Sequence, residues 1–237
     1  MTGIDAMKVS RSGTPSGSVA SALNQLRELI LNGELPPGLQ IRQEEMAGIL
    51  GISRVPLREV LRVLATEGLL THRTHQGYFV TRLSPADLKQ ISQLLDFLET
   101  ELIRTVRWPD RDEVAQLREL NREFGTAAAA GELATGNRLN REFHVQIFRL
   151  SNQEIYLAEA ERFWILSDPY RLMHVATTDP AIAVDEHDQL LDALLAQDRA
   201  LCLRVLTQHR ASTSIAALSV LGRAAARQER GRDERIV

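Results

Sequence analysis

Aromatic residues make up only 5% of this 237-residue chain, and there is a single cysteine, Cys202. One thiol excludes an intrachain disulfide framework. Its place inside a helical apolar pattern marks it as a small core residue. No run of about 18 apolar residues occurs, so no membrane span is expected. The opening M-T-G-I-D-A-M-K-V-S-R-S-G lacks the apolar core of a secretory leader, and the expectation is a cytoplasmic protein. Few aromatics against plentiful Leu, Ala, Arg and Glu favour helices over sheets. With 44% hydrophobic and 25% charged residues, the chain suits one or two globular domains with cores of their own.

A large excess of positive charge is missing too, because the formal net charge is −3. Its distribution is uneven. Residues 1–82 hold 9 Lys+Arg against 7 Asp+Glu, and residues 83–237 hold 19 against 24. A mildly basic head on an acidic body fits a DNA-binding unit joined to something else, although charge alone does not establish DNA binding.

Residues 1–17, rich in Ser, Gly, Thr and Pro, read as a disordered arm. Residues 19–32 set Leu23, Leu26, Leu29 and Ile30 on one helical face and stop at Gly33. Pro36-Pro37-Gly38 turns into a short strand at 39–41. A short helix over 43–50 closes on Gly51. Ser53 caps a second that runs to about Glu67, with Pro56 in its first turn, where proline is tolerated. Two short helices across a glycine turn are the helix-turn-helix pattern. Strands at 69–72 and 78–81 around the tip Arg73-Thr74-His75-Gln76-Gly77 form a hairpin wing.

Ser84-Pro85-Ala86-Asp87 is a helix start, with Ser as N-cap, Pro at N1 and Asp at N3. No strand signal follows it. Helices are expected over 85–106, 109–130, 132–150, 153–176, 180–196 and 198–222, with Asp168-Pro169 a place where the fourth could break. Their loops are short enough to pack neighbours antiparallel. The tail 223–237 is charged and expected to fray. The predicted fold is mainly α: a winged helix-turn-helix over 18–82 and a six-helix antiparallel bundle over 84–222.

In I-S-R-V-P-L-R-E-V-L-R-V-L-A-T-E-G-L-L, Leu57, Val60, Leu61 and Leu64 form the buried face. Arg54, Arg58 and Arg62 recur every four residues on another. On an arbitrary helix such arginines are a solvated face, with Arg62 pairing Glu59 or Glu67. After a glycine turn and before a wing, they read as groups that can bond guanine O6 and N7 in the major groove. The helix N-terminus itself attracts phosphate. The segment from Leu23 to Val80 resembles the GntR family of winged-helix repressors, through L-R-E-L-I-L-N-G-E-L-P-P-G, S-R-x-P-L-R-E-V-L, E-G-L-L and G-Y-F-V. The resemblance implies DNA contact by Ser53, Arg54 and Arg58, by the wing around His75 and Gly77, and by Arg42. Val55 departs from the family, which commonly has threonine there. His72, inside a strand, reads as a half-exposed sheet residue.

Four of the six histidines, His144, His174, His187 and His209, lie in the helical part. N-R-E-F-H puts Asn140 and His144 one turn apart on one helix face, and short loops bring the helices of His187 and His209 alongside. Imidazoles on adjacent helices with an oxygen ligand can surround a divalent metal, though separate histidines are often only surface or hydrogen-bonded residues. Residues 84–212 resemble the FCD effector domain of FadR/VanR-type GntR regulators, through N-R-E-F-H, L-S-N-Q-E-I-Y and E-H-D-Q-L-L-D-A-L-L-A-Q-D-R-A-L-C-L-R-V-L-T-Q-H. The metal ligands this implies are Asn140, His144, His187 and His209, with zinc or nickel suiting imidazole donors. Asn140 stands where the family often has aspartate, which weakens the site. His174 matches no ligand position. Leu95, in L-D-F-L-E, stands where many relatives carry an arginine, so Arg162 and Arg171 become candidates to hold a carboxylate effector, and Phe163, Trp164 and Tyr170 to wall a cavity or simply to fill the core.

These readings lead to one expectation: a homodimeric repressor that reads a palindromic operator in double-stranded DNA and is released by a small carboxylate. Two rivals remain at this point. One is a metal-dependent enzyme with Glu142 or Glu186 as base, and the other is an architectural DNA binder with no effector.

Overall fold

The computed structural model describes residues 18–175 and 179–211, with the side chains of 173–175 left aside. The expected arm over 1–17, the charged tail and the last part of the final helix lie outside these residues, as does the side chain of His174. The chain divides into two compact units that part between Arg82 and Leu83.

The first unit holds α1 (Val19–Leu31), β1 (Gln40–Ile41), α2 (Gln43–Leu50), α3 (Arg54–Thr66), β2 (Leu70–Arg73) and β3 (Gly77–Val80). Ser18 caps α1 by accepting from the Ser21 N–H, which satisfies one of the orphan donors of the first turn. Ala22, Leu26 and Ile30, spaced four apart, turn inward against α3. Gly51 ends α2 in the left-handed conformation (φ 63°) that glycine adopts without penalty, and this sets the angle at which α3 starts. Arg27 ties α1 to the end of α3 through two hydrogen bonds to Glu67, of 3.1 and 2.7 Å. The strands are antiparallel in the order β1-β3-β2, with Leu70 opposite Val80 and Gln40 opposite Phe79. The wing is therefore the middle and outer strands of a small sheet that β1 completes.

The second unit holds α4 (Pro85–Thr105), α5 (Arg111–Ala129), α6 (Leu133–Phe148), α7 (Glu154–Val175), α8 (Pro180–Leu195) and α9 (residues 199–211). Local capping accounts for the starts. Ser84 and Asp87 form a reciprocal capping box on α4, and Asp110 and Glu113 do the same on α5, which delays that helix past Pro109. Leu102, Ile103, Phe143, Ile147, Phe148 and Leu191 lie fully buried in the core of this unit. Arg199 caps the end of α4 by donating to the Ile103 and Val106 carbonyls (2.6 and 3.1 Å), its guanidinium lying over the Trp108 ring. α7 does not break at Asp168-Pro169. It runs on through Pro169, with Asp168 fully buried and ion-paired to Arg141. A proline here removes one helical hydrogen bond, and the surrounding packing holds the helix through that point.

Candidate functional site

Two groups of residues carry chemistry, one in each unit. In the first, burial of Leu57, Val60, Leu61 and Leu64 leaves Arg54, Arg58 and Arg62 on the exposed side of α3. Arg62 pairs with Glu59 (3.2 Å), one of its two expected partners, and Arg54 with Glu44 on α2 (2.9 Å). Arg58 has no ion pair among the described residues. Arg42, Arg54 and Arg58 come together around one open cleft of about 640 Å³, with Gln43, Glu44 and Glu45 on its rim. Ser53 is the exposed N-cap of α3, and its hydroxyl makes no capping bond, which leaves the first N–H groups of the helix without a side-chain acceptor from it. At the wing tip, His75 and Gly77 both take positive φ, 61° and 90°. The Gln40 side chain donates to the Gln76 carbonyl (2.7 Å), tying the tip to β1. His72 is exposed and leans on Tyr78.

In the second unit, His144 from α6, His187 from α8 and His209 from α9 meet in the buried interior. His144 Nε2 lies 3.2 Å from the Nε2 of both others. The protons can be placed by following the partners. Asn121, on α5, donates through Nδ2 to the Val184 carbonyl (3.0 Å) and to Asp188 (3.2 Å), so its Oδ1 faces His187 Nδ1 at 2.8 Å. That nitrogen must donate, leaving Nε2 of His187 a bare lone pair. His209 Nδ1 donates to the buried Glu186 carboxylate (2.8 Å), which turns its Nε2 toward His144. His144 Nδ1 is buried with no hydrogen-bond partner. The Nε2 lone pair of His187 therefore points at the Nε2 of His144, in a cluster of three ring nitrogens that a cation could join.

The spacing agrees with a cation. Ligand distances of about 2.1 Å put imidazole nitrogens about 3.4 Å apart in a tetrahedron and about 3.0 Å apart in an octahedron, and 3.2 Å lies between them. Burial holds the imidazoles of His144 and His187 well below their ordinary pKa, and the neighbouring imidazoles push the same way. Both are therefore neutral near pH 7, the form that coordinates. Phe143 stacks on His187 (4.2 Å between centroids) and Trp164 leans on His144 (5.0 Å), which fixes the rings.

A polar network continues from Trp164. Its indole N–H donates to buried Glu99 (2.7 Å), and Glu99 also accepts from Arg210 (3.3 Å). Arg171 lies over the Trp164 ring at 3.8 Å and donates to Ser167 (3.3 Å), with no carboxylate at ion-pair distance among the described residues. Burial lowers its pKa, partly opposed by Glu99. Arg162 is exposed and bonded to Glu159 (2.9 Å), an ordinary surface arginine. Asn140 is half-buried, one turn before His144. Leu95 is a core residue of α4.

Sequence reasoning missed Asn121 as a partner of the histidines, and weighed Glu186 only as a base. A signal for Asn121 existed: L-N-R-E-F occurs twice, at 120–124 and 139–143, so α5 repeats the segment that precedes His144. Glu142, the other residue weighed as a base, is exposed beside Arg138.

A DNA-binding head of helix, turn, helix and wing, joined to a helical bundle enclosing a cluster of buried histidines, defines a ligand-responsive DNA-binding regulator. Residues 19–80 match the family described as bacterial regulatory proteins, gntR family, and residues 90–212 match the FCD domain. The chain belongs to the GntR family of bacterial transcription regulators, with an FCD domain as its C-terminal part. It is 36% identical over 149 residues to the Nta operon transcriptional regulator of Aminobacter aminovorans, covering 58% of this chain and 70% of that one. It is 26% identical to the HTH-type transcriptional repressor GlaR of Escherichia coli, covering 78% and 88%. The solved structure of E. coli McbR/YncC superposes with a TM-score of 0.74 at 25% identity, covering 85% of this chain and 96% of that one. These relatives are regulators, and the enzyme reading is set aside with them.

Proposed function

We propose that the protein is a homodimeric repressor that leaves a palindromic operator when a small carboxylate enters a metal-bearing cavity of its FCD domain. It acts in the cytoplasm, with 18–82 as the DNA-binding domain and 84–222 as the effector and dimerisation domain. The repressor sign follows relatives such as GlaR. In the head, Arg54 and Arg58 read bases, while Arg42, Ser53 and the wing residues His75 and Gly77 hold the backbone; the open cleft that gathers the three arginines supports their facing DNA together.

The observation that carries the effector site is the convergence of three Nε2 atoms, with that of His187 held as a lone pair by Asn121. His144, His187 and His209 would hold zinc or nickel, with Asn140 as a weak neutral oxygen donor. When bound, the ion supplies a Lewis-acidic position for a carboxylate oxygen. Arg171 supplies the second anchor in place of the arginine that Leu95 replaces. It is stacked on Trp164, next to His144, and lacks an acid partner among the described residues.

The test is metal analysis of protein purified without chelator, with zinc and nickel titrations and operator binding measured before and after a panel of carboxylates. Binding of one ion per chain, and release of the operator only by a carboxylate and only in loaded protein, is expected. No binding at excess metal, with histidine substitutions leaving the response intact, would sink the site. Sedimentation of the full chain as a monomer at micromolar concentration would sink the dimer.

A further inference from the structure

Val55 sits in the first turn of α3 with its side chain 74% exposed. The other exposed large apolar side chains of the first unit, Val19 and Val63, reach only 43% and 40%. The fold does not ask for a valine here. At about 100° per residue, Val55 points about 180° away from Leu64, and Leu57, Val60 and Leu61 share that far side. A β-branched residue in an exposed turn is also a poorer helix former than alanine.

Its neighbours on the exposed face are Arg58, Glu59 and Arg62, with Ser53 and Arg54 just before it in the chain. The serine and the arginines have polar counterparts on DNA, in phosphate oxygens and guanine O6 and N7. Valine has one apolar counterpart in the major groove, the 5-methyl group of thymine.

We infer that Val55 is a specificity-determining residue that packs against a thymine 5-methyl beside the bases read by Arg54 and Arg58. This rests on α3 being the groove-reading helix.

The test begins with selection of duplexes from a randomised pool by the full-length protein. In the selected operator, each thymine is then replaced singly by deoxyuridine, which pairs alike and lacks only the methyl group. One position, or its symmetry pair, should weaken wild-type binding by about four-fold, equivalent to about 0.8 kcal/mol for one buried carbon. Val55→Ala, which changes both protomers, should bind the parent operator about as the wild type binds a duplex with uracil at that position in both half-sites, and should be indifferent to the exchange. Val55→Thr should fall between. Uniform binding across all uracil duplexes, or a Val55→Ala variant as sensitive as the wild type, would overturn the inference. The uracil series on the wild type needs no variant to fold. Failure of the wild type to select any sequence would remove the groove-reading role of α3 itself and this inference with it, an outcome distinct from the other two.

Discussion

Replacing Asn121 by leucine keeps the side chain near its present size and removes every hydrogen bond it makes. The Val184 carbonyl stays within its own helix, and Asp188 keeps Arg118 at 3.3 Å. The group left stranded is the Nδ1–H of His187, buried beneath the Phe143 ring. A buried donor without an acceptor costs about 1–3 kcal/mol. His187 has one escape, which is to move its proton to Nε2 and donate to His144 Nε2, 3.2 Å away. That escape consumes the lone pair a metal needs. The variant should therefore lose on one account or the other. Either the metal-free protein is less stable by about 1–3 kcal/mol, or the tautomer switches and metal binding must reverse it. Loss of an outer partner of this kind typically lowers metal affinity about 10–100-fold. The assay is a zinc titration against a chromophoric chelator, alongside denaturant melts of the chelator-treated protein. Asn121→Asp, which keeps an acceptor at the same place, should retain wild-type affinity or exceed it. Zinc affinity within about two-fold of wild type in Asn121→Leu would refute the assignment of the His187 tautomer and with it the reading of the site.

Other outcomes follow from the same geometry. Arg54→Ala and Arg58→Ala should each weaken operator binding by about 1–3 kcal/mol while sparing random DNA, whereas Arg42→Ala should weaken both and flatten the salt dependence by about one unit; gel-shift titrations at several salt concentrations distinguish the two patterns. Arg171→Ala should abolish release by a carboxylate without lowering zinc affinity, and Arg162→Ala should change neither, as isothermal titration with metal and effector separately would show. In chelator-treated protein, stability should fall as pH drops below about 6.5. There the unfolded chain protonates His144 and His187 while the folded chain, with both pKa values depressed, does not. The slope should approach about 1.4 kcal/mol per pH unit for each histidine. Glu113, held down to about 2 by Arg107 and the Asp110 N–H, contributes only below its unfolded value of 4.5, so the window from 5 to 6.5 belongs to the histidines. A flat melting profile there would contradict the buried neutral imidazoles. Asn140→Asp should tighten zinc binding by adding a negative ligand, a gain that equilibrium dialysis would detect.

Much of this molecule was legible from short stretches of chain, because the forces that set them act over a few residues. Ser84 and Asp87 close their capping box within one turn, Gly51 adopts its left-handed φ without help, and the apolar spacing of 57, 60, 61 and 64 selects the buried face of α3 before any partner is known. The three histidines stand out through their motifs, and the fold brings them together in one buried cluster. What the sequence could not say was where a side chain ends once helices pack. Arg162 and Arg171 lie on the same helix and looked equivalent; burial against Trp164 alone separates the enclosed arginine from the solvated one. Asn121 and Asn140 hold the same place in two copies of one five-residue segment, yet it is Asn121, from another helix, that turns to His187, because α5 packs more extensively on α8 than α6 does. Asp168-Pro169 reads as a place where the helix could break, since a proline removes a helical bond; α7 continues through it because packing around Trp164, Asp168 and Tyr170 outweighs that loss. Capping and periodicity are settled by neighbours in sequence, whereas the direction of a proton on His187 is settled by an acceptor 66 positions away that only the tertiary fold delivers.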